Sequence, residues 1–220
     1  MNLTAKTSST IRYLKKTKLP LAITLLSSIV AGQVLAMSNT PKVDVEGIEA
    51  KGKIVRFIAV GDTGTGKNGQ YQVASAIEKV CAAHGCDFAL GLGDNIYESG
   101  VDSVDDTQWL EKFEKPYQNL DFPFYMTLGN HDNSYFSGGG LANTKGEIQV
   151  DYHYNENRVS DKWNMPARYY HFSAPLADSE PLVDFFSLDS NPLASLSDIK
   201  QDYWQLPYKK KQAKWFDETI

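Results

Sequence analysis

Three stretches of the sequence end an apolar run on a glycine and follow it with an oxygen-bearing side chain: "AVGDTG" with Asp62, "GLGDNIY" with Asp94, and "TLGNHD" with Asn130. Asp and Asn are good helix caps, and one such motif alone is most simply a cap. Three in succession, with Tyr97 just beyond Asp94 and His131 beside Asn130, point to chemistry instead. Two carboxylates and an amide oxygen brought to one place repel or go unsatisfied unless a cation sits among them. Asp94 and Tyr97 are close enough in the chain to reach a common ion from one loop. A phenol, whose ordinary pKa is about 10, becomes a ligand only where a strong Lewis acid removes its proton. A hard ion such as ferric iron suits phenolate and carboxylate oxygen. Asn130 offers a neutral oxygen to a second, divalent ion, and Asp94, in the middle motif, is the natural bridge. A pair of metals so placed clamps a phosphoryl group and supplies a hydroxide nucleophile.

For these side chains to meet, the strands that carry them must be parallel neighbours, because ligands in open α/β sheets collect at the carboxyl ends of strands. The intervening sequence fits. "KIVRFIAV" reads as a first strand, Gln70 to Ala83 as a helix with Val73, Ile77, Val80 and Cys81 at helical spacing, and "CDFALGLGDN" as a second strand and its loop. "TQWLEKFEKPY" predicts a short helix ending near Pro116, and "FPFYMTLGN" a third strand. This β-loop-α repetition is the pattern of a layered α/β domain. Asn133 to about Ala167 reads as a long irregular stretch, of the kind that is functional when it occurs in a compact domain. "ARYYHFSA" and "LVDFFSLDS" predict two strands of a second sheet, and "KKKQAKWFDETI" a closing helix.

The chain before this domain has a different character. Residues 1–36 combine Lys6, Arg12, Lys15, Lys16 and Lys18, a short apolar run and a small residue at Ala36, the pattern of a secretory signal peptide. The run is shorter than the ~20 residues a membrane-spanning helix needs, so no stable membrane anchor is expected after cleavage. Residues 37–52 read as a linker and 53–220 as the α/β domain. Export to a bacterial periplasm, or secretion, follows from this reading. Losing those five basic residues takes the net charge from -5 to -10, which argues against a nucleic-acid partner. An anionic substrate would then need local positive charge, such as metal ions, to offset the field. Cys81 and Cys86, in "VCAAHGCDF", are either a short disulfide staple, as an oxidising compartment permits, or two buried thiols. Gly85 between them can supply a helix C-cap.

"GDTGTGKN" comes close to the phosphate-binding loop G-x4-G-K-[ST] through Gly61, Gly66 and Lys67, but Asn68 stands where the magnesium-binding hydroxyl belongs. Lys67 therefore reads as a solvated loop charge.

Taken together, "GDTG", "GDNIYESGV", "GNHD", "KWNMPARYYHF", "FFSLD" and "QAKWF" resemble the purple acid phosphatases of the calcineurin-like metallophosphoesterases, and within them the short tartrate-resistant type. The resemblance implies a four-layer α-β-β-α sandwich with two mixed sheets. It implies that Asp62, Asp94 and Tyr97 ligate ferric iron, that Asp94 and Asn130 hold a divalent partner (iron, zinc or manganese), and that His131 stands in the outer shell, as general acid to the leaving alkoxide or as a stabiliser of the phosphorane-like transition state. The function it implies is hydrolysis of phosphomonoesters by metal-bound hydroxide at acidic pH. A phosphodiesterase of the same superfamily is the nearest alternative, and a non-catalytic metal- or phosphate-binding fragment is another. Position 63 departs from the family pattern, being Thr where the family reads Trp, which alters a pocket wall but leaves Asp62. The family's three later metal-binding histidines have no counterpart in this chain, so the resemblance implies a piece of a longer product, incomplete at its C-terminus. None of the other histidines replaces them. His84 reads as a helix-end residue, His153 as lining the substrate mouth at most, and His171 as packed on a strand face, while Asp189 reads as a strand-end turn with a possible supporting role.

Overall fold

The computed structural model describes residues 54–133, 145–175, 180–194 and 206–220. The signal-peptide and linker readings lie outside these residues. Four parallel strands form the main sheet in the order β1 (Phe57–Val60), β2 (Phe88–Gly91), β3 (Phe124–Met126) and β4 (Trp163–Asn164). β1 is the half-exposed edge, whereas β2 is largely buried. The apolar run "FALG" suits β2's place, because a parallel strand covered on both faces carries no polar alternation. Sequence order equals spatial order here, so each strand end lies beside the next, with Val60 opposite Gly91 and Gly91 opposite Met126.

Helix α1 (Asn68–His84) carries the chain from β1 to β2 and buries Ala74 and Ile77. It ends at Gly85, whose φ of 77° lets its N–H reach back to the Cys81 carbonyl at 2.8 Å. Cys81 and Cys86 are bridged, with Cα atoms 5.1 Å apart, which resolves the alternatives left open by the sequence. Closing so short a loop removes unfolded-state entropy. The double replacement Cys81→Ala with Cys86→Ala is expected to lower the unfolding free energy by about 2 kcal/mol, measured by urea titration under non-reducing conditions.

The two faces of the sheet bury different partners. Phe124 points to a core with Phe113 and Tyr117 at ring separations of 5.4 and 5.0 Å, and Trp163 packs edge-on against Phe113 at 4.9 Å. Phe113 lies in a π-helical turn (Leu110–Glu114), where a short α-helix was the sequence expectation. The opposite face stacks Tyr125 on Phe172 at 3.9 Å and sets Phe88 edge-on to Phe172 and Phe185. Phe172 and Phe185 come from an antiparallel hairpin, β5 (Tyr170–Ala174) with β6 (Val183–Ser187), which is the second sheet. Such aromatic pairs are worth about 0.5–1.5 kcal/mol each beyond the area they bury. The layered α/β reading with two sheets therefore holds, with parallel pairing in one and antiparallel in the other.

One expectation is corrected. The stretch Asn133 to Ala167 is not irregular throughout: its described part contains helix α3 (Glu147–His153) and strand β4. In α3, Gln149, Val150 and Tyr152 are buried, and the Trp163 indole donates to the Gln149 carbonyl at 3.0 Å. Between β3 and α3 lies α2, a single helical turn (Asn130–Asn133), and α4 (Asn191–Ala194) is another beyond β6. The closing helix α5 (Leu206–Thr219) covers the hairpin, with Trp215 4.9 Å from Tyr169 and Phe216 5.2 Å from Phe186.

Candidate metal centre

The loops that leave β1, β2 and β3 interlock at one rim. The Asp62 N–H donates to the Gly93 carbonyl at 3.0 Å, the Thr63 N–H to the Asp94 carbonyl at 3.2 Å, and the Tyr97 N–H to the Gly64 carbonyl at 2.8 Å. Backbones approach this closely only where side chains are missing. A Cβ on Gly64 would stand 1.6 Å from the Asn95 carbonyl oxygen, and one on Gly129 would stand 2.2 Å from Asp94 Oδ1. Asp62 and Asp94 both adopt left-handed backbone angles, with φ of 55° and 52°. A non-glycine residue in that region is uncommon and costs energy, and such strain clusters at functional sites. The same strained turn occurs twice, on adjacent parallel strands, with an acid at the strained position each time.

The result is convergence. The Tyr97 hydroxyl donates to Asp62 Oδ1 at 2.6 Å and lies 3.1 Å from Asp94 Oδ2. The other Asp94 oxygen accepts the His131 backbone N–H at 2.9 Å. The His131 ring packs on Tyr97 at 4.5 Å, and its Nδ1 is 2.6 Å from the Glu98 carbonyl. Asn130 sits between Gly129 and His131, both of which abut Asp94. Asp62, Asp94, Tyr97 and His131 are thus brought together, and Asn130 is on the turn that wraps Asp94.

Electrostatics marks the same spot. Partial burial raises the Tyr97 phenol well above its ordinary value, and the hydrogen bonds to Asp62 and Asp94 and their charges raise it further. The Tyr97 hydroxyl hydrogen is the donor that these carboxylate oxygens share, and a cation among them would take its place. Among the described residues no three or more His, Cys, Asp or Glu side chains are grouped so as to hold a metal ion by themselves. The donor set that does gather is two carboxylates and a phenol, an all-oxygen set that fits a hard ion.

Several supports of the site were not read from the sequence. Asp132, fully buried, accepts the N–H groups of Asn95 (2.9 Å), Ile96 (3.1 Å) and Gly129 (2.8 Å) and the Gln149 amide (2.7 Å). It ties the second and third loops together. Burial pushes its carboxyl up to about 6, the hydrogen bonds from Gln149, Gly129 and Asn95 oppose that, and the Asp94 charge adds to it. Asn95 reaches the Thr127 carbonyl at 2.8 Å, and the Lys112 ammonium donates to the Tyr97 carbonyl. The signal for Asp132 was its place in "GNHDN": an acid in a turn beneath a site can only be buried if amides surround it.

The remaining candidates fall elsewhere. His84 ends α1 and is exposed. His153 ends α3, with Nδ1 3.3 Å from the Trp163 carbonyl, and His171 is exposed on β5, stacked on Phe186 at 5.7 Å. Thr63 lines a cavity of about 250 Å³ beside Asp62, with Gln70, Val73 and Tyr117 among its walls. The phosphate-loop resemblance fails on geometry as well as on Asn68. The Gln70 side-chain Oε1 accepts the Gly66 N–H at 2.7 Å, and Lys67 is exposed at the N-cap of α1.

Comparison with known proteins identifies the family of this fold. The family model described as calcineurin-like phosphoesterase matches residues 55–218. The chain is 32% identical over 154 residues to the tartrate-resistant acid phosphatase type 5 of Sus scrofa, covering 66% of this chain and 42% of that protein. The Homo sapiens protein of the same name is 30% identical over 153 residues, covering 66% and 43%. Purple acid phosphatase 4 of Arabidopsis thaliana is 36% identical over 81 residues, covering 36% and 24%. The chain thus spans about four tenths of the length of the tartrate-resistant relatives it matches. Among solved structures, one titled "GAP50 the anchor in the inner membrane complex of Plasmodium" shares the fold, with a TM-score of 0.50 at 22% identity, over 73% of this chain and 47% of that one. With its family match running from β1 through nearly all of α5, this chain belongs to the calcineurin-like phosphoesterases, and its curated homologues there are tartrate-resistant and purple acid phosphatases.

Proposed function

We propose that this chain carries part of a dinuclear metal site that hydrolyses phosphomonoesters. The observation that supports it best is the Tyr97 hydroxyl lying within hydrogen-bond reach of both Asp62 and Asp94. In this reading Asp62, Asp94 and Tyr97 hold a ferric ion, and Asp94 and Asn130 hold a divalent one, iron, zinc or manganese. Two such ions, when bound, supply Lewis acidity and an activated nucleophile. The protein's own contribution is orientation. Asp94 is fixed on both oxygens, by Tyr97 and by the His131 amide. His131 is turned by the Glu98 carbonyl, which selects the tautomer with the proton on Nδ1. In this reading His131 Nε2 assists the departing oxygen.

Tyr97 separates the ferric phosphatase from a phosphodiesterase of the same superfamily. A tyrosinate bound to ferric iron absorbs in the visible, so the iron-loaded protein is expected to be coloured and Tyr97→Phe colourless, by absorbance spectroscopy of both. Equal spectra would remove Tyr97 from the site. An assay with an aryl phosphate, run beside metal titration, separates an enzyme from a module that binds without turnover.

Export belongs to the same proposal. It is supported by the signal-like residues 1–36 and by the bridged cysteines, since disulfides persist in oxidising compartments. Among the described residues no helix is long and apolar enough to cross a membrane. N-terminal sequencing of the protein recovered from a bacterial periplasm is expected to begin at Met37.

A further inference from the structure

Behind the site runs a buried polar chain that the proposed chemistry does not use. Asn133, the last residue of α2, is fully buried, and its amide donates to the Gly129 carbonyl at 2.9 Å, closing the turn that carries Asn130 and His131. The Asn133 oxygen accepts from Arg168 Nη2 at 2.6 Å, and Arg168 Nε donates to Asp189 at 2.9 Å. Arg168 is 5% exposed and Asp189 0%. The far end is anchored in α5: Tyr208 donates to the same Asp189 oxygen at 2.8 Å, and the Gln212 amide brackets the Asp189 backbone at 2.8 and 3.1 Å.

A buried ion pair is a poor source of stability, because its desolvation cost about equals its Coulombic gain, and a hydrophobic replacement often does as well. What it supplies is fixed geometry, and Arg, with a planar fork, fixes two partners at once. Here two of its partners are Asn133, beneath the metal-site turn, and Asp189, held by the closing helix, while Glu147 lies 3.8 Å from Nη1. We infer that Arg168, held by Asp189, is a positioning residue that sets the Gly129–Asn133 turn, and with it Asn130 and the His131 amide, against Asp94. The inference rests on the reading of Asp94 and Asn130 as metal ligands. It adds a role for α5, a helix remote from the strand-end loops, in holding one of them. Asp189, read from the sequence as a strand-end turn, is the counter-ion of this strut.

The test compares the wild-type 220-residue chain with Arg168→Lys, Asn133→Ala and Asp94→Asn. Each is measured by thermal denaturation, by calorimetric titration with Mn(II), and by the amide NMR signals of Gly129 and His131 without metal. Arg168→Lys keeps the charge and loses the fork. Asn133→Ala cuts the link and leaves the Arg168–Asp189 pair intact, so it serves where Arg168→Lys does not fold. Both are expected to move the Gly129 and His131 signals and to weaken Mn(II) binding by about 10- to 100-fold, the usual cost of losing an outer support of a ligand, measured well below their melting temperatures. Folded variants with wild-type affinity and unmoved signals would overturn the strut. If wild type and Asp94→Asn bind Mn(II) equally poorly, the metal-site reading fails instead. The NMR signals then still decide the strut: moved signals support it, and unmoved ones overturn it.

Discussion

On the proposed metal-site reading, Asp94→Asn is expected to leave the fold intact while sharply lowering metal binding and aryl phosphate turnover. The backbone at position 94 is left-handed, φ 52°, and Asn tolerates that region nearly as well as Asp. The carboxamide still presents one oxygen to the His131 N–H, so the interlock of the second and third loops survives. What is lost, on that reading, is the anionic oxygen that would be shared between two cations. Removing a bridging charge should cost more than the 10- to 100-fold typical of outer supports, and a fall of about 10³-fold in metal affinity and turnover is expected. Parallel circular dichroism, metal titration and aryl phosphate hydrolysis check this. A variant that keeps either property would show that Asp94 is a cap or a turn residue and no more.

The second large effect is on stability. Asp132→Ala leaves the buried N–H groups of Asn95, Ile96 and Gly129, and the Gln149 amide, without the acceptor they share. Unsatisfied buried donors cost about 1–3 kcal/mol each in isolation. Release of a buried carboxylate offsets part of that, and a net loss of about 3 kcal/mol is expected at pH 7. Against a typical total of 5–15 kcal/mol this is large. The sign of the pH dependence is fixed by the upward shift. The folded protein holds the Asp132 proton to about pH 6, whereas an unfolded chain releases it near 3.8. The group's contribution is therefore full below about pH 4 and lost as pH rises through 6. Urea titrations should show a wider gap between wild type and Asp132→Ala at pH 4.5 than at pH 7. An equal gap at both would mean that the carboxyl is not shifted by its burial.

What the sequence revealed and what it hid divide along physical lines. The strand-glycine-acid punctuation was readable because a glycine at a strand end and an acid after it each have few local uses. Their repetition therefore exposed Asp62, Asp94 and Asn130, and parallel neighbouring strands then required the three loops to meet. The helix α1 was readable from its spacing. Helix α3 and β4 were not, because "EIQVDYH" is short and two-residue β4 carries almost no periodicity, so tertiary packing of Gln149 and Trp163 decides both. Nor could the sequence separate the roles of adjacent polar residues in "GNHDN". Asn130 is exposed and Asp132 fully buried, and only the turn geometry of α2 separates them. Arg168 and Asp189 lie 21 residues apart, and nothing local announces that they meet.

The central claim is that the rim built by Asp62, Asp94, Tyr97 and Asn130 is a place for cations. Anomalous X-ray diffraction from crystals of this protein grown with iron and zinc measures that directly. The account predicts peaks at this rim, one against Asp62 and Tyr97 and one against Asn130, with Asp94 touching both. Metal peaks confined to other parts of the molecule, with the Tyr97 hydroxyl still bonded to Asp62, would contradict it.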